Sequence, residues 1–120
     1  MKPLNELSED VIQSKIFEYY HNNFCTKLND LPHVIFSVPN GGLRNKREAL
    51  KLKSTGLVAG VSDLIIVKDK EVVFVEVKTS KGKQSERQTA FEQKVKDLGY
   101  RYLIVRSLDD FKTQLIETYR

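Results

Sequence analysis

Two apolar, β-branched runs, Leu64-Ile65-Ile66-Val67 and Val72-Val73-Phe74-Val75, flank a short polar segment, Lys68-Asp69-Lys70-Glu71. The pattern predicts a β-hairpin. With the turn centred between Asp69 and Lys70, Lys68 faces Glu71, Val67 faces Val72, Ile65 faces Phe74, and Asp63 faces Glu76. Asp-Lys is not a favoured two-residue turn. A four-residue loop keeps the same pairing, whereas a three-residue loop sets Asp63 opposite Val77.

The remaining periodicities predict the rest of the fold. A helix is expected from about Ser8, a suitable N-cap followed by Glu9 and Asp10, to Asn22, with Val11, Ile12, Ile16, Tyr19 and Tyr20 as its apolar stripe. Val34 to Val38 reads as a strand closed by the loop signal Pro39-Asn40-Gly41-Gly42. A short helix from Asn45 to Lys53 stops near Gly56. After the hairpin come a polar loop, Thr79 to Lys83, and a helix from about Ser85 to Leu98 with Gly99 beyond its end. Its expected inner face is Ala90, Phe91, Val95 and Leu98. A strand over Tyr100 to Val105 and a last helix capped by Ser107, with Phe111, Leu115 and Ile116 inside, complete the chain. This order predicts an α/β fold, a mixed β-sheet flanked by helices.

The chain has 120 residues, 40% apolar and 30% charged, which fits one globular domain over residues 1–120. No apolar run approaches the roughly 20 residues of a membrane span, and with no apolar stretch in Met1-Lys2-Pro3-Leu4-Asn5-Glu6, export is not expected. The single cysteine, Cys25, excludes an internal disulfide. A cytoplasmic location is expected. The net charge of +4 is a mild pointer, but Arg44, Lys46, Arg47, Lys51 and Lys53 crowd one segment with a single acid, Glu48. Such a cluster is either a solvated helix face or a seat for a polyanion. His21 and His33 lack metal-ligand spacing, Cys25 reads as a small core residue, and Phe17, Tyr19, Tyr20 and Phe24 read as core or dimer contacts.

The hairpin carries the chemistry. Directly opposed residues share one face, with Cβ atoms roughly 4.5–5.5 Å apart. Asp63 and Glu76 would repel at that distance, so a divalent cation is expected between them. Lys78 lies two residues beyond Glu76 and points to the same face. The Val77 carbonyl offers a third oxygen. Such a group suits phosphodiester hydrolysis: the carboxylates would hold Mg²⁺, and Lys78 would orient or deprotonate water.

Gly60-Val61-Ser62-Asp63, a hairpin spacer, and Glu76-Val77-Lys78 resemble the PD-(D/E)XK nucleases, and more narrowly the VRR-NUC family in its stand-alone phage and bacterial form. The resemblance runs from the first helix to about Ser107. It takes in Pro39-Asn40-Gly41-Gly42 with Arg44, the segment from Gly56 to Ile65, Gly82-Lys83-Gln84-Ser85 with Gln88, and Gly99-Tyr100-Arg101-Tyr102. Ser62 stands where the superfamily name has proline. The resemblance implies a restriction-endonuclease-like core and Mg²⁺- or Mn²⁺-dependent DNA cleavage, with branched or Holliday-type junctions preferred and a homodimer as the working form. It implies catalytic roles for Asp63, Glu76, Lys78 and Gln88, and a metal-binding acid on the first helix. Glu9, paired with Gln13, is favoured over Glu18 for that acid. Asn40, Arg44, Lys46, Arg47, Lys53 and Gln13 are expected against DNA. The rival expectations are a catalytically silent DNA-binding module, an adaptor protein, and a Type II-like restriction enzyme. The last would need base-reading loops, for which the chain has little spare length.

Overall fold

The Ser8 hydroxyl accepts a hydrogen bond from the Val11 amide and opens helix α1, Glu9–Tyr20. The computed structural model describes residues 7–26, 31–39 and 46–117. Ile12, Ile16 and Tyr20 form the buried face of α1, while Val11 is exposed. The helix does not end at Asn22. It widens into a π-helical stretch, His21–Cys25. Stacking of Phe24 on Tyr20, 4.7 Å between centroids, carries the chain onward against the core. His33 is structural, its Nδ1 lying 2.6 Å from the Tyr20 hydroxyl.

The other elements follow the predicted order: β1 Val34–Ser37, α2 Lys46–Ser54, β2 Leu64–Lys68, β3 Glu71–Val77, α3 Glu86–Asp97, β4 Arg101–Val105 and α4 Leu108–Glu117. The strands form one mixed sheet in the order β1-β2-β3-β4. The first two pairings are antiparallel, and β3 pairs with β4 in parallel after the α3 crossover. The hairpin register is the predicted one, from Lys68 opposite Glu71 to Leu64 opposite Val75. Its turn holds two residues, and Lys70 adopts φ +57°, an uncommon conformation for a residue with a Cβ. Arg101 ties the turn end to β4 through a 2.8 Å ion pair with Glu71.

One face of the sheet packs on α1 and α4. Leu64, Ile66, Val73, Val75, Val77 and Val105 meet Ile16, Phe111 and Leu115 there. Phe111 and Leu115, four apart, share the inner face of α4; the next residue, Ile116, turns to solvent at 67% exposure, contrary to expectation. The opposite face is thinner. Phe91 of α3 packs edge-on against Phe74 and Tyr102. Val95 is the buried residue of α3, whereas Phe91 is partly covered, Ala90 is exposed and Leu98 is 73% exposed. The expected inner face is thus only half used. The sheet beneath the start of α3 carries polar Glu76 and Lys78 and offers little apolar surface. Among the described residues no helix is long and apolar enough to cross a membrane.

The loop before β2 touches α3 through Gly60. This glycine has φ +84°, and a Cβ there would lie 2.4 Å from the Arg87 carbonyl oxygen. Gly56, at φ +114°, has open space around it. Gly56→Ala should therefore cost only backbone strain, about 1–3 kcal/mol. Gly60→Ala should cost distinctly more, because backbone must move as well. Urea unfolding of the two variants compares them, and equal losses would show that the Gly60 contact is readily relaxed.

Candidate active site

Asp63 lies one residue before β2, just past the paired ladder. It does not face Glu76 as a strand pair. Its Oδ2 instead accepts a 2.7 Å hydrogen bond from the Val77 amide, and its carbonyl accepts one from Val38. Strand alternation places Asp63 with Ile65, Phe74 and Glu76 on the α3 side of the sheet. The charge of Asp63 reaches the Tyr102 hydroxyl on that same side.

Glu76 is 1% exposed, a carboxylate set between the core residues Val75 and Val77. Burying such a group costs several kcal/mol unless it is paired and hydrogen-bonded. Two donors serve Oε1: the Tyr102 hydroxyl at 2.5 Å and Gln84 Nε2 at 3.1 Å. Burial, the hydrogen bond to Glu76, and the charges of Glu76, Glu92 and Asp63 push the Tyr102 hydroxyl well above the ordinary phenol range. It therefore remains a donor. Among the described residues Oε2 is buried without a hydrogen-bond partner, 4.0 Å from Lys78 Nζ.

Lys78 is 8% exposed, and its ammonium donates to Gln88 Oε1 at 2.9 Å. Gln88 is held in turn by a capping box. Its Oε1 accepts from the Ser85 amide, and the Ser85 hydroxyl accepts from the Gln88 amide. Arg106 fixes the loop between Lys78 and Gln84 by donating to the Thr79 and Gly82 carbonyls, at 2.6 and 2.8 Å. Tyr102, Gln84 and Arg106 were assigned no role from sequence. Tyr102 and Gln84 fall within the family-like segments, but nothing local in the chain tells which strand lies beside β3.

Lys78 and Gln88 also line an open cleft of about 530 Å³ with Lys53, Lys83, Ser85 and Arg87. Lys53, expected from sequence to contact DNA, thus lies on this cleft with Lys83 and Arg87, to which sequence reading assigns no role. Arg47 is exposed on α2, and Lys46 opens that helix. Asn40 and Arg44 lie outside the described residues. Gln13 lines a second cleft with Asp10, Ser14, Phe17, Ser37 and Leu64, beside the strand ends that flank Asp63. Glu9 is exposed in the first turn of α1. Among the described residues no three His, Cys, Asp or Glu side chains gather as a metal-holding group, so neither Glu9 nor Glu18 is brought into one with Asp63 and Glu76. The faces of α1 explain this: Ile12, Ile16 and Tyr20 turn inward, and Asp10, rather than Glu9, lines the cleft with Gln13.

A buried carboxylate with one oxygen lacking a hydrogen bond among the described residues, a second carboxylate and a lysine thus lie at one end of the central hairpin. The profile of the VRR-NUC domain matches residues 5–109, and the chain belongs to that family. A solved VRR_NUC domain protein superposes with a TM-score of 0.73 at 22% identity, over 99% of this chain and 90% of that one. A solved VRR_NUC domain gives 0.61 at 19% identity, over 93% and 97% respectively. Comparison with curated proteins gives no match.

The capping box and the Lys78 bond separate experimentally. Ser85→Ala should cost about 0.5–2 kcal/mol, the usual loss of a cap. Gln88→Ala should cost more, by about 1–3 kcal/mol, because a buried ammonium also loses its acceptor. Equal midpoints in urea unfolding would show that the Lys78–Gln88 bond adds nothing measurable.

Proposed function

We propose that the chain is a metal-dependent endodeoxyribonuclease, a single domain acting in the cytoplasm as a homodimer on branched or Holliday-type DNA. The observation that carries this reading is Glu76 Oε2, a buried carboxylate oxygen with no hydrogen-bond partner among the described residues, facing Lys78. A buried carboxylate oxygen without a hydrogen bond is costly, and a dication beside it would satisfy it. Two carboxylates and a strand-end carbonyl form an all-oxygen set with few protein charges, which fits Mg²⁺ or Mn²⁺. Asp63, Glu76 and the Val77 carbonyl would hold the ion.

When bound, the ion supplies positive charge to the scissile phosphate and lowers the pKa of water. The chain's own residues do the rest. Lys78 orients the attacking water and offsets charge developing on the phosphate, and Gln88 holds the ammonium in place. Lys53, Lys83 and Arg87 line the adjoining cleft and seat neighbouring phosphates. Arg47, exposed on α2, would extend that basic surface, Lys46, Arg44 and Asn40 are further DNA contacts expected from the sequence, and Gln13 lines the cleft beside the strand ends that flank Asp63. Phosphate contacts of this type position DNA without reading its sequence, in keeping with recognition of DNA shape. Two copies of the site would suit paired cuts across a two-fold junction.

Labelled linear, flap, splayed and four-way DNAs incubated with Mg²⁺ or Mn²⁺ test the reading. Cleavage is expected to be strongest on the branched forms and to vanish with EDTA. Equal cutting in the presence of chelator would remove the metal role. Lys78→Ala should bind the same DNA with similar affinity but cut about 10²–10⁴-fold more slowly; a fully active variant would remove the lysine from the mechanism.

A further inference from the structure

The two oxygens of Glu76 are not equivalent. Among the described residues, Oε1 takes both hydrogen bonds, from Tyr102 and Gln84, and Oε2 takes none. Neither donor is loosely placed. Gln84 Nε2 also donates to Glu92 Oε1 at 3.1 Å, and Gln84 Oε1 accepts from the Thr89 hydroxyl at 3.2 Å. A flipped amide would set its carbonyl against two carboxylates, so the amide has one stable orientation. The Tyr102 ring is packed edge-on against Phe91 and stands opposite Phe74 in the parallel register, two residues before Glu76 on the same face.

We propose that Tyr102 and Gln84 are positioning residues that occupy Oε1, leave Oε2 as the one Glu76 oxygen open to a dication, and so set the site against ions that prefer a two-oxygen grip. The inference rests on the metal-dependent reading above. Ca²⁺ takes six to eight oxygens at about 2.3–2.6 Å and readily accepts both oxygens of a carboxylate. Mg²⁺ demands near-octahedral geometry at about 2.0–2.1 Å from few carboxylates, and Mn²⁺ suits the same oxygen set. A carboxylate with one oxygen already committed to two donors favours the smaller ions. Such supporting contacts alter metal affinity by about 10–100-fold when removed.

The experiment is calorimetric titration of the full chain with Mn²⁺ and, separately, with Ca²⁺. The proteins are wild type, Glu76→Gln, Tyr102→Phe, Gln84→Met and the Tyr102→Phe/Gln84→Met double variant. Phenylalanine keeps the ring contact with Phe91, and methionine keeps the length of the glutamine. Wild type should prefer Mn²⁺, and Glu76→Gln should lose that binding. In the double variant the ratio of Mn²⁺ to Ca²⁺ affinity should fall by about tenfold or more. If Tyr102→Phe disturbs folding, Gln84→Met alone should still lower the ratio. An unchanged ratio in folded variants, with binding still dependent on Glu76, overturns this inference and leaves the metal reading standing. Wild type that binds neither ion, or Glu76→Gln that binds as wild type does, overturns the metal reading and this inference together.

Discussion

Successive side chains of a strand point to opposite faces, so the register of β2 on β3 decides where each group of the site goes. With Leu64 opposite Val75, the layer beneath α1 and α4 receives Leu64, Ile66, Val73, Val75 and Val77, and Glu76 and Lys78 fall beneath α3. A slip of one residue in β3 would exchange these sets and drive a carboxylate and an ammonium into an apolar layer. The turn itself does little to prevent this, because Asp69-Lys70 is a poor two-residue turn and leaves Lys70 at φ +57°. Burial prevents it. Ile66, Val73, Val75 and Val77 are all essentially inaccessible in the observed register, and the Glu71–Arg101 ion pair fastens the far end of the hairpin.

The same register creates the electrostatic demand that organises the site. Glu76 is placed on the central part of the sheet, out of water, and its charge must be met by protein groups. These arrive from three places: Tyr102 from β4, Gln84 from the loop before α3, and Lys78 from the end of β3. That requirement makes the loop after Lys78 worth holding still. Arg106 does so from beyond β4, and the Ser85–Gln88 capping box does so at the start of α3. The order in a surface loop thus follows from a buried charge next to it.

Features governed by local chemistry were legible in the chain. Ser8 and Ser85 cap helices because a short hydroxyl side chain can reach the free amides of the first turn. Gly99 closes α3 at φ +90°, a backbone open to glycine. The hairpin register was legible because both strands carry enough apolar residues to fix it. What depended on tertiary contact was not. The helix passes Asn22 because Phe24 has Tyr20 to stack on. Leu98, just past the end of α3, is left exposed on an open cleft it lines with Phe74, Phe91 and Val95. Asp63 caps the Val77 amide and does not extend the ladder, a geometry that alternation alone does not distinguish from pairing. The partners of Glu76 were hidden for the same reason: the parallel β3–β4 register joins residues 26 positions apart.

The arrangement of charge also bears on how DNA would meet this site. Under the proposed function, Asp63 and Glu76 would place two negative groups where a phosphate settles, and Lys78 would offset only one. A bare site therefore repels its proposed substrate at the reacting position, while Lys53, Lys83 and Arg87 attract it a short way off, along the adjoining cleft. A dication at Oε2 would reverse the sign at the centre and make the centre and cleft act together. On the proposed reading, metal and DNA are coupled ligands, each improving the seat of the other by the same free energy. Docking through the cleft alone would leave DNA bound by its backbone but held away from the carboxylates. On that reading, the separation of the cations around the cleft from Asp63 and Glu76 would give binding and cutting different electrostatic requirements within one small fold.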